Sequence, residues 1–487
     1  MQSSESLSKK IVRGGLWAFS LRIISRLLGF LRTVILARLL FPEDFGLLGI
    51  AIMAINFLET VSQTGFHSAL IQRKDNAELY FDTAWTVSAI RGAILFIVLF
   101  LSAPAIAAFF NSPQATMVLK VLAISSLLTG LRNIGTVTFQ KNLEFHKQFI
   151  YDLPSTLIDL IVSVSLAFIL RDVWALVWGG LAGNFVRFVL SFILHPYRPS
   201  MKFEKTQFKE LFGFGKWLLG SGILAFLITQ GDNAFVGKML GVTFLGLYQM
   251  AYLLSHLPSS EISFVMSQVI YPAYSKIQDD LPSLREAYLK ILQITVFLSA
   301  AISALIFALA PDFTSIFLGN KWISMVPAMQ ILVVAAFFTS IFDTSGPIFL
   351  AVGKPKVETT LQLLRLLVLA IFIYPLSLRW GITGTSIAVL LSIAAYGLCL
   401  IFMTLRITGC GLMRFGRRTA IPIINGIMAA VIIFGLKGSF ESGIIFFLTS
   451  ISAGILTYLL MTYLADRLFA YNIWSVVEET FTSLRSK

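Results

Sequence analysis

Apolar residues in this chain run on in long stretches, interrupted by short polar segments. A membrane-crossing helix needs about 20 predominantly apolar residues. Runs of that kind are read at 14–36, 45–66, 83–104, 116–139, 150–170, 174–194, 212–236, 243–270, 288–310, 325–350, 357–377, 381–404, 419–436 and 443–465. They do not alternate in short pieces as the strands of a membrane barrel do. Each is therefore expected to satisfy its own backbone as a helix. The longest connector, HPYRPSMKFEKTQFKE after the sixth span, leaves no room for a soluble catalytic domain. The pattern predicts an all-α polytopic membrane protein of about fourteen transmembrane helices. The first run follows a polar MQSSESLSKK and precedes no A-x-A-like cleavage site, so it is expected to be retained as a helix.

A weak repeat overlies this pattern. With Trp17 placed on Trp217, Ala37-Arg38-Leu39-Leu40 meets Gly237-Lys238-Met239-Leu240, and Phe45-Gly46-Leu47 meets Leu245-Gly246-Leu247. Trp174-Ala175-Leu176 later meets Trp380-Gly381-Ile382 at a slightly different offset. The expected organisation is two pseudo-symmetric six-helix lobes, 1–200 and 201–408, followed by two extra helices and a tail over 409–487. An even number of spans per repeat makes the halves parallel, and transporters commonly place substrate at such an interface.

Composition supports the class: 57% of residues are apolar and 13% charged, roughly half the charged share of a soluble domain. The formal net charge of +13 is spread over span ends rather than gathered into a basic domain, which argues against nucleic acid. Most of it falls on the N-terminal tail and every second connector, at residues such as Lys9, Lys10, Arg13, Arg73, Arg198, Lys202, Lys205, Lys354, Lys356, Arg414, Arg417 and Arg418. The intervening connectors hold few basic residues, Arg38, Lys120, Arg171 and Lys437 among them. The positive-inside bias then predicts that both termini are cytoplasmic. Cys399 and Cys410 are the only cysteines and form no disulfide framework. There is no P-loop, no H-E-x-x-H and no paired-cysteine metal spacing, and the four histidines are dispersed. Neither an ATPase nor a metal site nor catalytic residues are expected.

The opening GGLWAFSLRIISRLLGFLRTVILARLLFPEDFGLLGIA is more specific. Gly14, Trp17, Ala37, Arg38, Leu40, Pro42, Phe45, Gly46 and Leu48 follow the pattern G-x-x-W, a basic first helix, then A-R-x-L-x-P-x-x-[FY]-G-x-[LY]. This resembles the polysaccharide-synthesis (Wzx-type) flippases of the multidrug/oligosaccharidyl-lipid/polysaccharide exporter superfamily. The span layout extends the resemblance over the whole chain; the motif covers only its opening. The resemblance implies a bacterial inner-membrane flippase without a cofactor. It would carry an undecaprenyl-diphosphate-linked oligosaccharide from the cytoplasmic to the outer leaflet for exopolysaccharide, capsule or O-antigen export. The two lobes would rock around a central cavity, and membrane lipids and the polysaccharide polymerase machinery would be partners. The lipid tails would lie in a groove near the last two spans.

Polar residues inside the spans suggest how a head group is held. A charge facing lipid at mid-bilayer costs at least about 2.5–3.5 kcal/mol, so such groups should face protein or water. Residues four apart share a helix face, and several spans carry polar stripes. The first has Arg22, Ser25, Arg26 and Gly29; the second Asn56, Glu59, Gln63 and His67; the fourth Ser125, Thr129, Arg132, Asn133 and Thr136. The fifth has Asp152, Ser155, Thr156, Asp159 and Ser163; the sixth Gly180, Gly183, Asn184, Arg187 and Ser191. Guanidinium is suited to a diphosphate because it stays charged and donates bidentately. Arg22 and Arg26, then Arg91, Arg132 and Arg187, are the candidate ligands. Glu59, Asp152 and Asp159 would pair with them in the empty state, and Asn56, Gln63 and Asn133 would contact sugar. The bland alternative is that Arg26 with Glu59, or Arg91 with Asp152, are structural ion pairs, and that Arg32 snorkels. The later spans hold Asp232, Glu261, Asp343 and Arg365. Asp343 and Asp232 are the candidate groups for H⁺ or Na⁺ coupling; capping by Asp232-Asn233 and an Asp343–Arg365 pair are the alternatives. Pro258 with Ser259-Ser260, and Gly346-Pro347, mark candidate hinges. An ion-coupled multidrug or organic-cation antiporter of the same superfamily remains the rival reading, though its cavity should be acidic. A membrane polymerase or ligase would need an outer catalytic loop, and the outer connectors are short.

Overall fold

A computed structural model describes residues 2–73, 77–257, 259, 270–437, 443–469 and 471–475, without the side chains of 2–16, 18–19, 211–221 and 271–272. Glu261, Pro258 and Ser260 lie outside the described residues, as does the tail after 475. All regular structure among the described residues is helical. The chain divides into two compact units, Met1–Gly246 and Leu247–Lys487.

The first unit contains α1 (Gln2–Leu39), α2 (Pro42–Val61), α3 (Phe66–Gln72), α4 (Phe81–Phe109), α5 (Ala115–Leu131), α6 (Val137–Lys141), α7 (Phe145–Leu170), α8 (Val173–Leu194), α9 (Lys205–Met239) and the start of α10 (Val242–Ser255). Local chemistry sets the boundaries. Pro42 opens α2, where a missing N–H costs nothing, and Asp44 accepts from the Phe41 N–H at 2.9 Å. Asp172 caps α8 by accepting from the Trp174 N–H at 3.0 Å. Within this unit α7 packs along α8, α4 along α5, α1 along α7, and α2 against both α5 and α9. Leu36 of α1 and Leu40 just past its end are buried with Ala167, Ala175 and Leu176.

The second unit contains α11 (Tyr271–Lys276), α12 (Leu281–Phe313), α13 (Val326–Asp343), α14 (Gly346–Ala351), two helices back to back over Pro355–Thr408 (α15 and α16), α17 (Leu412–Leu436) and α18 (Ile444–Phe469). Trp380 and Gly381 break the long stretch; Gly381 has φ +57° and ψ −137°, which glycine adopts without a Cβ penalty. The break falls where two spans were expected to meet. In this unit α12 packs against α13, α17 and α18. Lys437 pairs with Asp312 at 2.7 Å.

Nine stretches of the described residues are long and apolar enough to cross a membrane, Pro355–Thr408 counted as one of them. The chain is a multi-pass membrane protein. Large apolar side chains such as Leu101, Ile169 and Ile445 are exposed on its surface, as a lipid-facing surface requires.

The fourth expected span, 116–139, is not one straight helix. It bends by 70° between α5 and the segment Ile134–Lys141. The bend stands because its polar groups find remote partners. The Asn133 N–H donates to Ser191 Oγ at 3.0 Å, Asn133 Nδ2 donates to the Tyr197 carbonyl at 2.7 Å, and Asn133 Oδ1 accepts from the Gly135 N–H at 2.9 Å. Asn133 is fully buried; it is spent on holding the bend, and it does not line the cavity described below.

The connector between α8 and α9 is bolted to the start of α4. Asp82 accepts from Tyr197 Oη, from Ser200 Oγ at 2.6 Å and from the Ser200 N–H at 3.1 Å, with Lys202 Nζ at 3.6 Å. Burial, then the Asp82 carboxylate, pushes the Tyr197 phenol above its ordinary range, so the phenol keeps its proton and donates. Thr83 Oγ1 donates to Gln207 at 2.6 Å and accepts from the Glu204 N–H at 3.2 Å. Arg73 pairs with Glu210 at 3.0 Å, and Tyr80 donates to the same carboxylate at 2.8 Å.

Candidate functional site

The arginines within the spans have two kinds of surroundings. α7 carries a polar face, Asp152, Ser155, Asp159 and Ser163, and two of them cover it. Arg32 of α1 pairs with Asp159 at 2.9 Å and donates to Ser163 Oγ at 3.0 Å, so it is a bridge between helices and not a snorkelling end. Arg187 of α8 lies 3.3 Å from Asp152 and donates to Ser155 Oγ at 2.9 Å. Arg132, just past α5, donates to Asn184 Oδ1 at 2.8 Å. Such pairing compensates charges in a region where water is scarce.

Arg91 of α4 is different. Its Nε donates to Ser62 Oγ at 2.9 Å and its Nη2 to the carbonyl of Glu59 at 2.9 Å. The guanidinium thus binds the C-terminal turn of α2, where unpaired carbonyls and the helix dipole concentrate negative charge. It pairs with neither Asp152 nor the Glu59 carboxylate.

Arg91 also stands on the wall of a cavity of about 670 Å³ within the first unit, bounded by α2, α4, α5, α9 and the segment joining α2 to α3. Asn56 and Glu59 lie on α2 and Gln63 just past its end; Ser88 and Arg91 come from α4, Ser126 and Thr129 from α5, Thr229 and Gln230 from α9. Phe66 and Phe226 add aromatic surface, and His67 lines the cavity at the start of α3. Among the described residues, the side chains of Asn56, Glu59, Gln63 and Gln230 have no protein hydrogen-bond partner. The Ser126 hydroxyl is buried without one. The wall therefore presents open donors and acceptors.

Four residues singled out in the sequence, Asn56, Glu59, Gln63 and Arg91, meet at this cavity. Arg22 and Arg26 do not line it; on α1, Arg22 is half-buried and Arg26 exposed. Arg132 and Arg187 are off the wall as well, in the contacts given above. Asp232 is 2% exposed on α9 in the first unit, accepting from the Asn233 N–H at 2.8 Å. Asp343 ends α13 in the second unit. The sequence reading passed over Gln230, Ser88 and Ser126. Thr229-Gln230 is a polar pair in an otherwise apolar run, visible beside Asp232-Asn233. A second polar knot was also missed: Glu358 accepts from Tyr396 Oη and from Gln362 Nε2, both at 2.9 Å, in the second unit.

Among the described residues, no group of three or more His, Cys, Asp or Glu side chains is placed to hold a metal.

A family described as polysaccharide biosynthesis protein matches residues 35–327. The lipopolysaccharide biosynthesis protein WzxC of Escherichia coli (strain K12) is 25% identical over 355 residues, 72% of each chain. The succinoglycan biosynthesis transport protein ExoT of Rhizobium meliloti (strain 1021) is 24% identical over 354 residues, 72% of this chain and 71% of that one. The solved structure of the lipid II flippase MurJ in an inward closed conformation superposes with a TM-score of 0.73 at 19% identity, covering 93% of this chain and 99% of that chain. That likeness concerns the fold.

Proposed function

The chain belongs to the polysaccharide biosynthesis protein family, and from that premise we propose that it moves a lipid-linked oligosaccharide across the inner membrane for surface polysaccharide export. It is a transporter and not an enzyme, in line with the relative named as a transport protein. The observation that carries the reading is the first unit's cavity, which opens amides, hydroxyls and one carboxylate inside a bundle of membrane helices. Such groups are costly in hydrocarbon unless a polar ligand or water meets them. A saccharide head group on a lipid carrier is such a ligand.

In this reading the carrier is undecaprenyl diphosphate and both termini are cytoplasmic, in accord with the distribution of Lys and Arg. Polymerase machinery takes the product at the outer face. Two six-helix lobes, 1–200 and 201–408, alternate access. Arg22 and Arg26 serve the diphosphate, apart from the cavity wall. Deleting the gene is expected to accumulate the lipid-linked oligosaccharide on the cytoplasmic leaflet, measured by its accessibility to a membrane-impermeant glycosidase. The wild-type gene cures this, and the Arg22→Ala/Arg26→Ala protein cures it about tenfold less well at equal abundance. Absence of accumulation in the deletion strain would remove the flippase reading.

Asp343 and Asp232 are the proposed groups for H⁺ or Na⁺ coupling, since a desolvated carboxylate takes up a proton and an ionised one holds a cation. Imposed H⁺ or Na⁺ gradients should change the transport rate in proteoliposomes. Equal rates with and without both gradients would dismiss coupling.

A further inference from the structure

Among the described residues, the cavity wall is rich in neutral hydrogen-bonding groups and sets one carboxylate against one guanidinium, and this says which part of a glycolipid it takes. Its charged residues, among those described, are Glu59 and Arg91; His67 is mainly neutral near pH 7 at its ordinary value. Arg91 has already committed Nε to Ser62 and Nη2 to the Glu59 carbonyl. Glu59, by contrast, has a carboxylate that no described protein group donates to. Ser126 is 3% exposed, lines the cavity, and leaves its hydroxyl without a partner. The amides of Asn56, Gln63 and Gln230 are equally open.

This inventory asks for a ligand that both donates and accepts at many points. Sugar hydroxyls do so: they donate to a carboxylate or an amide oxygen and accept from an amide N–H or a serine hydroxyl. A carboxylate or diphosphate does not. It donates nothing to Glu59 and is repelled by it in a partly enclosed space. Phe226 supplies apolar surface for the C–H face of a sugar ring. The volume lies within the range of about 300–1,000 Å³ typical of small-ligand sites.

Resting on the flippase reading, we propose that this cavity is a saccharide subsite selective for uncharged sugars, in which Glu59 disfavours uronic acids and the diphosphate lies elsewhere. Glu59 is thereby a specificity-determining residue. Like-charge opposition is the device by which binding sites reject a near-identical ligand.

The test uses the full chain reconstituted in proteoliposomes with two probes. One is a fluorescent polyprenyl diphosphate bearing a galactose–glucose disaccharide; the other is the same lipid bearing galactose–glucuronate. The neutral lipid is expected to flip at least about tenfold faster at limiting concentration. Glu59→Gln should narrow that ratio, because the amide no longer repels a carboxylate and can donate to it. Equal rates in the wild type, or a faster uronate, overturn the inference while leaving the flippase reading intact. An unchanged ratio in a folded Glu59→Gln protein removes Glu59 as the determinant and overturns it as well. If the wild type moves neither lipid faster than empty liposomes do, the flippase reading fails, and this inference with it.

Discussion

Arg91→Ala is expected to reduce transport at least about a hundredfold and to leave the protein inserted in the membrane. Two charge-assisted hydrogen bonds disappear, each worth about 1.5–3 kcal/mol. Both hold the last turn of α2, the turn that carries Glu59 and leads into Gln63. Without the guanidinium, the Glu59 carbonyl and Ser62 Oγ lose their interhelical donor, and the cavity wall loses its register against α4. Arg91→Lys is a sharper form of the same experiment. An ammonium is a point donor and cannot reproduce the fork that reaches Ser62 and Glu59 together, so lysine restores only a small part of the rate. The readout is flipping in proteoliposomes at matched protein content. A lysine variant as fast as wild type would show that charge alone, and not the two-point hold on α2, is what matters at this position.

The second large effect is structural. Gly46 on α2 and Gly246 on α10 sit at a backbone crossing. A Cβ on Gly46 would lie 1.9 Å from the Val242 carbonyl oxygen, and one on Gly246 would lie 1.8 Å from the Pro42 carbonyl oxygen. The obstacle is main chain in both cases, so no rotamer change relieves it. Overpacking usually costs about 1–3 kcal/mol; here two helices must separate, and the cost falls at or above the top of that range. Gly46→Ala or Gly246→Ala should abolish monodisperse folded protein on size-exclusion chromatography in detergent. Gly29→Ala is the control: nothing lies within 4 Å of its would-be Cβ, and alanine is the better helix former by about 1 kcal/mol. A Gly46→Ala protein as abundant and as heat-stable as the Gly29→Ala control would mean that α2 and α10 do not cross this closely.

That crossing was partly legible in the sequence. The repeat that sets Phe45-Gly46-Leu47 on Leu245-Gly246-Leu247 reappears as a reciprocal contact: Gly46 meets Val242 and Gly246 meets Pro42. Helical class was legible too, because long apolar runs admit few other structures in a bilayer. Pairing was not. Periodicity assigns a residue to a face of its own helix and is silent about which helix lies opposite. The polar stripe containing Asp152 and Asp159 was therefore visible, whereas its partners Arg187 and Arg32 were not identifiable. For the same reason nothing in the sequence showed that two of the five N–H donors of Arg91 serve the end of α2. The bend after α5 carries no proline; it is held by Ser191 and Tyr197, far along the chain, so a local reading runs straight through it. Asn56 and Glu59 were found because their spacing places them on one face of α2, and that face happens to be the cavity wall; Gln63, read as continuing the stripe, lies just past the helix end and reaches the same wall.

The connector that Asp82 and Thr83 fasten has a mechanical consequence. A peptide of this length, with two prolines and several lysines, would ordinarily act as a slack tether between the helices it joins. Here Tyr197, Ser200, Glu204 and Gln207 are tied to the first turn of α4, and Glu210 to Arg73 and Tyr80. The tether becomes a crank. A tilt of α4 is delivered directly to the root of α9, and α4 and α9 each contribute a wall of the cavity. The two walls are geared to each other, so the space they enclose can change shape without either helix being pushed by the ligand itself.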